Sequence, residues 1–154
     1  MRILVLSNEV WNDKINGNNV TSNWFEGMNA EFANIYCSPE TPFNKCCQRY
    51  FQITDTMMLK SIIKKEKAVM QLPIQNYQYD NLENIAELEP KKLYGFLKLI
   101  SGPFLRFIRE ELWLIGKYDL DKMRKFIDDF KPDVIFSERM ASCKMLRLEK
   151  IVSQ

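Results

Sequence analysis

The sequence predicts an α/β fold in which a parallel β-sheet is flanked by helices. An unbroken apolar run at residues 3–6 is typical of a strand that is buried on both faces. A polar loop, a helical pattern and a second apolar run at 32–37 follow it, which is the order of a β-α-β unit. A later apolar run at 133–136 follows another helical pattern and predicts a further buried strand.

The first loop, at residues 7–19, is rich in asparagine and contains Gly17, so we predict a series of turns there. Asn19 or Thr21 is placed to cap the helix that follows. Four apolar residues at helical spacing would form its buried stripe: Val20, Trp24, Phe25 and Met28.

The middle of the chain has weaker patterns. Residues 50–53 are predicted to form a third, short strand, and Thr54 is predicted to cap a helix that reaches residue 63. Residues 69–90 have weak periodicity and an internal proline, so we predict a linker or an irregular excursion.

Residues 91–118 are basic, aromatic and apolar, and Ser101-Gly102-Pro103 is predicted to divide them into two helices. One interpretation is a helical pair that packs on the sheet. The other is an amphipathic patch that lies on an anionic membrane surface or on a partner helix. In that second interpretation the patch residues are Phe104, Arg106, Phe107, Arg109 and Trp113.

Asp119 is predicted to cap the next helix, which would place Leu120, Met123, Ile127 and Phe130 on one face. After the strand at 133–136, a last helix is predicted from about residue 140 to residue 152. These patterns give three or four strands, fewer than a doubly wound sheet usually has. We therefore expect an incomplete domain.

Composition and motif searches exclude several kinds of site. The 154 residues contain no histidine, which excludes histidine-dependent serine or cysteine catalysis and histidine-ligated metals. The four cysteines form no C-x-x-C pair, so we expect reduced thiols in a cytoplasmic protein and no metal site. The formal net charge of +2 predicts no nucleic-acid partner, and no apolar run is long enough to span a membrane.

Two polar turns remain as candidate functional sites, because both follow strands and would meet at the carboxyl end of a parallel sheet. The first contains Gly17 and Asn18, whose amides could face a phosphate or a sugar, although an ordinary asparagine-rich turn is the alternative. The second is Ser137, Glu138 and Arg139, where Ser137 could instead be only a helix cap. Neither turn has the glycine pattern of a dinucleotide or P-loop site.

The segments MRILVLSNEVWND, NGNN and FKPDVIFSERMASCKMLRLEKIV resemble the amino-terminal domain of GT-B-fold glycosyltransferases, especially the large retaining family 4. The resemblance implies a Rossmann-like domain on the acceptor side of a two-domain enzyme. It departs from the family in the first loop, where Gly17-Asn18 stands in place of a Gly-Gly pair. The carboxyl-terminal domain, which binds the donor in that family, is absent from residues 1–154.

The resemblance implies that the intact enzyme transfers a sugar from a nucleotide-sugar, its substrate, to a glycan or lipid-linked acceptor. The Gly17-Asn18 loop would face the donor phosphates, and Ser137, Glu138 and Arg139 would face the acceptor. It implies no metal and no other cofactor, and we expect these residues alone to be inactive. The alternatives are a non-catalytic, flavodoxin-like binding or adaptor module and a peripheral protein at the inner face of the membrane.

Overall fold

The computed structural model describes residues 1–14, 20–64, 67, 70–72, 102–138 and 142–153. Within them, one sheet contains five strands in the order β4-β3-β2-β1-β5. The strands are β1 (Arg2–Ser7), β2 (Glu31–Tyr36), β3 (Cys47–Gln52), β4 (Met70–Leu72) and β5 (Val134–Ser137). Four neighbours, β3, β2, β1 and β5, run parallel. The predicted α/β fold with a parallel sheet is therefore confirmed.

The sheet also has an antiparallel strand that the sequence did not predict. β4 pairs with β3 at the outer edge, with Gln71 opposite Phe51. The prediction of a linker over residues 69–90 is wrong at Met70–Leu72. Three residues are too few for a periodic pattern, and pairing with β3 makes them a strand. An antiparallel strand at the edge of a parallel sheet is a common arrangement in α/β proteins.

Five helices lie among the described residues: α1 (Val20–Trp24), α2 (Asp55–Ile63), α3 (Gly102–Ile115), α4 (Leu120–Phe130) and α5 (Cys143–Val152). The side chains of β1 alternate between two buried faces, and both Leu4 and Val5 have no exposed surface. The Leu4 face packs with residues of α2, α3, α4 and α5. The Val5 face packs with Trp11 and Phe25, which lie on either side of α1. Burial on both faces explains the unbroken apolar sequence of β1.

The predicted stripe of the first helix is wrong. Helix α1 has only five residues and buries none of them. Phe25, just beyond it, is buried, whereas Val20, Trp24 and Met28 are each more than 40% exposed. Gly27 then takes a positive φ of 77°, a conformation that glycine adopts easily. One turn of helix followed by this bend cannot align four residues along a single face.

Helix α4 is capped as predicted, because the Asp119 side chain accepts a hydrogen bond from the main-chain N–H of Lys122 at 3.2 Å. Its buried face differs in detail from the prediction, since Phe126 is buried and Leu120 is 38% exposed. The helix ends at Phe130, and the next residue, Lys131, caps it in the left-handed conformation at φ 51°.

The last helix, α5, begins at Cys143, and the side chain of Ser142 caps it. The predicted start near residue 140 is therefore a few residues too early, and the cap is not Ser137. In the basic segment, α3 begins at Gly102, with Pro103 in its first turn as expected. Residues 91–101 lie outside the described residues.

The strand order identifies a Rossmann-like arrangement. The chain proceeds outward from β1 to β2 and β3, and then returns to place β5 on the other side of β1. This is the order of the first strands of the Rossmann fold. A flavodoxin-like sheet would place the third strand on the opposite side of β1 from the second. The structure therefore contradicts the flavodoxin-like part of the alternative interpretation.

Candidate functional site

The strand order reverses at β1, since β2 lies on one side and β5 on the other. In open α/β sheets, ligands bind at the carboxyl ends of the strands where the order reverses. Here the reversal brings the last residue of β1, Ser7, and the turn after it, Asn8 and Glu9, close to the residue after β5, Glu138. We call these four residues the switch-point site.

Glu138 links the two turns. Its main-chain N–H donates to the carbonyl oxygen of Leu6 at 3.1 Å, so its position is fixed against β1. Burial raises the pKa of its carboxyl group, and the nearby Glu9 carboxylate raises it further. A hydrogen bond from the Asn8 main-chain N–H partly opposes this shift. Glu138 therefore holds a proton more readily than an ordinary glutamate does.

Hydrogen bonds made by Ser7 and Asn34 hold the end of β1 and the turn after it in place. The Ser7 hydroxyl donates to the Glu9 carbonyl oxygen at 2.6 Å and accepts from Asn34 Nδ2 at 2.9 Å. Asn34 is fully buried in β2, and its Nδ2 also donates to the Val5 carbonyl oxygen. This buried amide of β2 thus holds the end of β1 in place.

The switch-point site presents mainly hydrogen-bond acceptors. Glu9 is exposed, and Glu138 is partly buried beside it. The Oδ1 atom of Asn8 is buried and accepts no hydrogen bond from the described residues. A buried acceptor without a donor costs free energy. A ligand rich in hydroxyl groups could donate hydrogen bonds to the exposed Glu9 and to Glu138, whereas a phosphate would be repelled by a carboxylate.

The described part of the first loop, residues 8–14, packs against the sheet through the buried Val10 and Trp11. Trp11 is 2% exposed, and its indole N–H donates to Ser22 Oγ at 2.8 Å. The Ser22 hydroxyl in turn donates to Asp13 Oδ1 at 2.7 Å. The main-chain N–H of Phe43 donates to the Trp11 carbonyl oxygen, which fastens the loop to the chain between β2 and β3. The apolar pair Val10-Trp11 was the sequence signal for this packing.

The structure describes only part of the predicted site. Gly17 and Asn18 lie outside the described residues, as does Arg139, so their roles stay predictions. The Ser137 hydroxyl donates to Glu149 Oε1 at 2.5 Å and joins β5 to α5. Of the three residues predicted on the acceptor side, Glu138 is the one that the structure places at the switch-point site.

The patch residues whose side chains the structure describes, Phe107, Arg109 and Trp113, divide between core and surface. Trp113 is 1% exposed, and its indole N–H donates to Asp55 Oδ1 at 2.6 Å. Arg109 forms an ion pair with the other oxygen of Asp55, at 2.8 Å. Phe107 is 61% exposed. Trp113 therefore belongs to the core and not to a membrane-facing patch. The side chains of Phe104 and Arg106 are outside the described part of the structure.

Between Phe107 and Ile115, the outer face of α3 is largely apolar, with Glu111 among its apolar residues. Phe107 and Leu114 are separated by seven residues, as are Ile108 and Ile115, so these pairs lie on one side of the helix. Leu114 and Ile115 are each about 60% exposed. This face is either a surface for another molecule or one that the rest of the chain covers.

All four cysteines are free thiols. Burial raises the pKa of Cys37 and of Cys47 to about 12, so both thiols stay protonated at neutral pH. Over the described ranges, no group of histidine, cysteine, aspartate and glutamate side chains is arranged to hold a metal ion. In the same part of the chain, no helix combines the length and hydropathy needed to cross a bilayer.

Comparison with known proteins gives no relative from which a function could be transferred. No protein-family model, no curated protein and no solved structure matches the chain.

Proposed function

We propose that this chain is the acceptor-binding half of a nucleotide-sugar glycosyltransferase. The observation that carries the proposal is the chemistry of the switch-point site. The exposed Glu9 and the partly buried Glu138 lie close together where a Rossmann-like sheet reverses its strand order. Sugars offer many hydroxyl donors in a small volume, and such a ligand matches this set of acceptors.

In this proposal one turn of the intact enzyme contacts the sugar acceptor and the other contacts the sugar donor. Glu9 and Glu138 accept hydrogen bonds from the hydroxyl groups of a glycan or of the glycan part of a lipid-linked acceptor, with Ser137 and Arg139 flanking them. The Gly17-Asn18 loop faces the phosphates of the donor. The donor itself binds to a carboxyl-terminal domain outside residues 1–154. The 154 residues alone therefore bind an acceptor weakly and transfer no sugar.

Acceptor binding is tested by titrating the isotope-labelled chain with neutral oligosaccharides and following its amide resonances by NMR. We expect the shifts to concentrate at Asn8, Glu9 and Glu138. Inorganic phosphate and a nucleoside diphosphate should leave those resonances unchanged because the carboxylates repel them. Glu138→Gln should weaken sugar binding, and Asp128→Asn, on the exposed side of α4, is the matched control.

Two results would count against the proposal. One is the absence of any shift at the switch-point site with every sugar. The other is a response at that site to phosphate or to a nucleotide, which would favour a non-catalytic module for phosphorylated ligands. Incubation with nucleotide-sugars provides a separate check, because nucleotide release and sugar transfer by the 154 residues would show that no donor domain is needed.

A second candidate function is association with an anionic membrane surface through the outer face of α3. The exposed residues Phe107, Ile108, Leu114 and Ile115 favour it. The test is flotation with anionic liposomes of the wild type and of Phe107→Ser plus Leu114→Ser. Leu146→Ser, at a residue that is equally exposed on α5, is the control. Loss of flotation in the double variant alone supports membrane binding, and no flotation of the wild type contradicts it.

A further inference from the structure

We draw no further inference here: the strongest candidate, the exposed apolar patch that Trp24 and Val134 form beside Phe136 on the α1 face of the sheet, carries nothing because nothing in the described part of the structure shows what covers it.

Discussion

Replacing Trp113 by alanine tests whether α3 faces the core in the way described. The residue is 1% exposed and packs in the cluster that joins α2, α3, α4 and α5 to the sheet. Truncation of a buried tryptophan costs about 3–5 kcal/mol through lost burial and the cavity left behind. Natural domains have about 5–15 kcal/mol of free energy of unfolding. Trp113→Ala should therefore leave the protein marginally stable.

Two further variants separate the loss of the Trp113 hydrogen bond from the loss of its buried surface. Trp113→Phe keeps most of the buried aromatic surface but removes the indole N–H that donates to Asp55. We expect it to lower the free energy of unfolding by about 1.5 kcal/mol, the lower end of the range for a hydrogen bond to a charged group. The lower end applies because Arg109 still pairs with the Asp55 carboxylate. Leu114→Ala changes the adjacent, 59% exposed residue. It should alter stability by less than about 0.5 kcal/mol.

Urea denaturation followed by far-ultraviolet circular dichroism measures the free energy of unfolding of each variant. The expected order of destabilisation is Trp113→Ala, then Trp113→Phe, with Leu114→Ala close to wild type. The reasoning would be refuted if Leu114→Ala cost more than Trp113→Ala, because α3 would then present its other face to the core. Trp113 would in that case return to the surface patch.

Three more predictions follow from the described contacts. Burial and the neighbouring Glu9 carboxylate raise the Glu138 pKa, so the folded protein loses stability as the pH rises through that pKa. Glu138→Gln removes this loss and should therefore raise the melting temperature more at neutral than at acidic pH. Cys46, which is partly exposed, should react with a thiol reagent under native conditions well before the buried Cys37 and Cys47, as peptide mass spectrometry would reveal. Ser22→Ala should lower the free energy of unfolding by about 1–3 kcal/mol in urea, since it leaves a buried indole N–H without its acceptor, and an unchanged midpoint would contradict that role.

The local sequence was enough to predict a strand or a helix start where its residue pattern is compatible with only one kind of secondary structure. The apolar runs specified β1 and β2, whose side chains are buried on both faces of the sheet. The run at 133–136 specified the strand β5, but the prediction that this strand is buried is wrong, because Val134 and Ile135 are each more than 40% exposed. The caps of α2 and α4 followed from Thr54 and Asp119, whose side chains accept hydrogen bonds from main-chain donors within the first turn. Histidine chemistry is excluded by composition alone, because no folding of these 154 residues can supply an imidazole group.

Tertiary contacts decided what the patterns left open. Helix α3 is apolar around much of its circumference, so helical spacing could not choose between Trp113 and Phe107 as the buried residue. That choice came from Asp55 on α2, which receives the Trp113 hydrogen bond. Likewise, the apolar sequence of β5 predicts a strand but cannot say whether it lies at the centre or the edge of the sheet. Glu9 and Glu138 meet because the strand order reverses at β1, and that order is a property of the whole sheet.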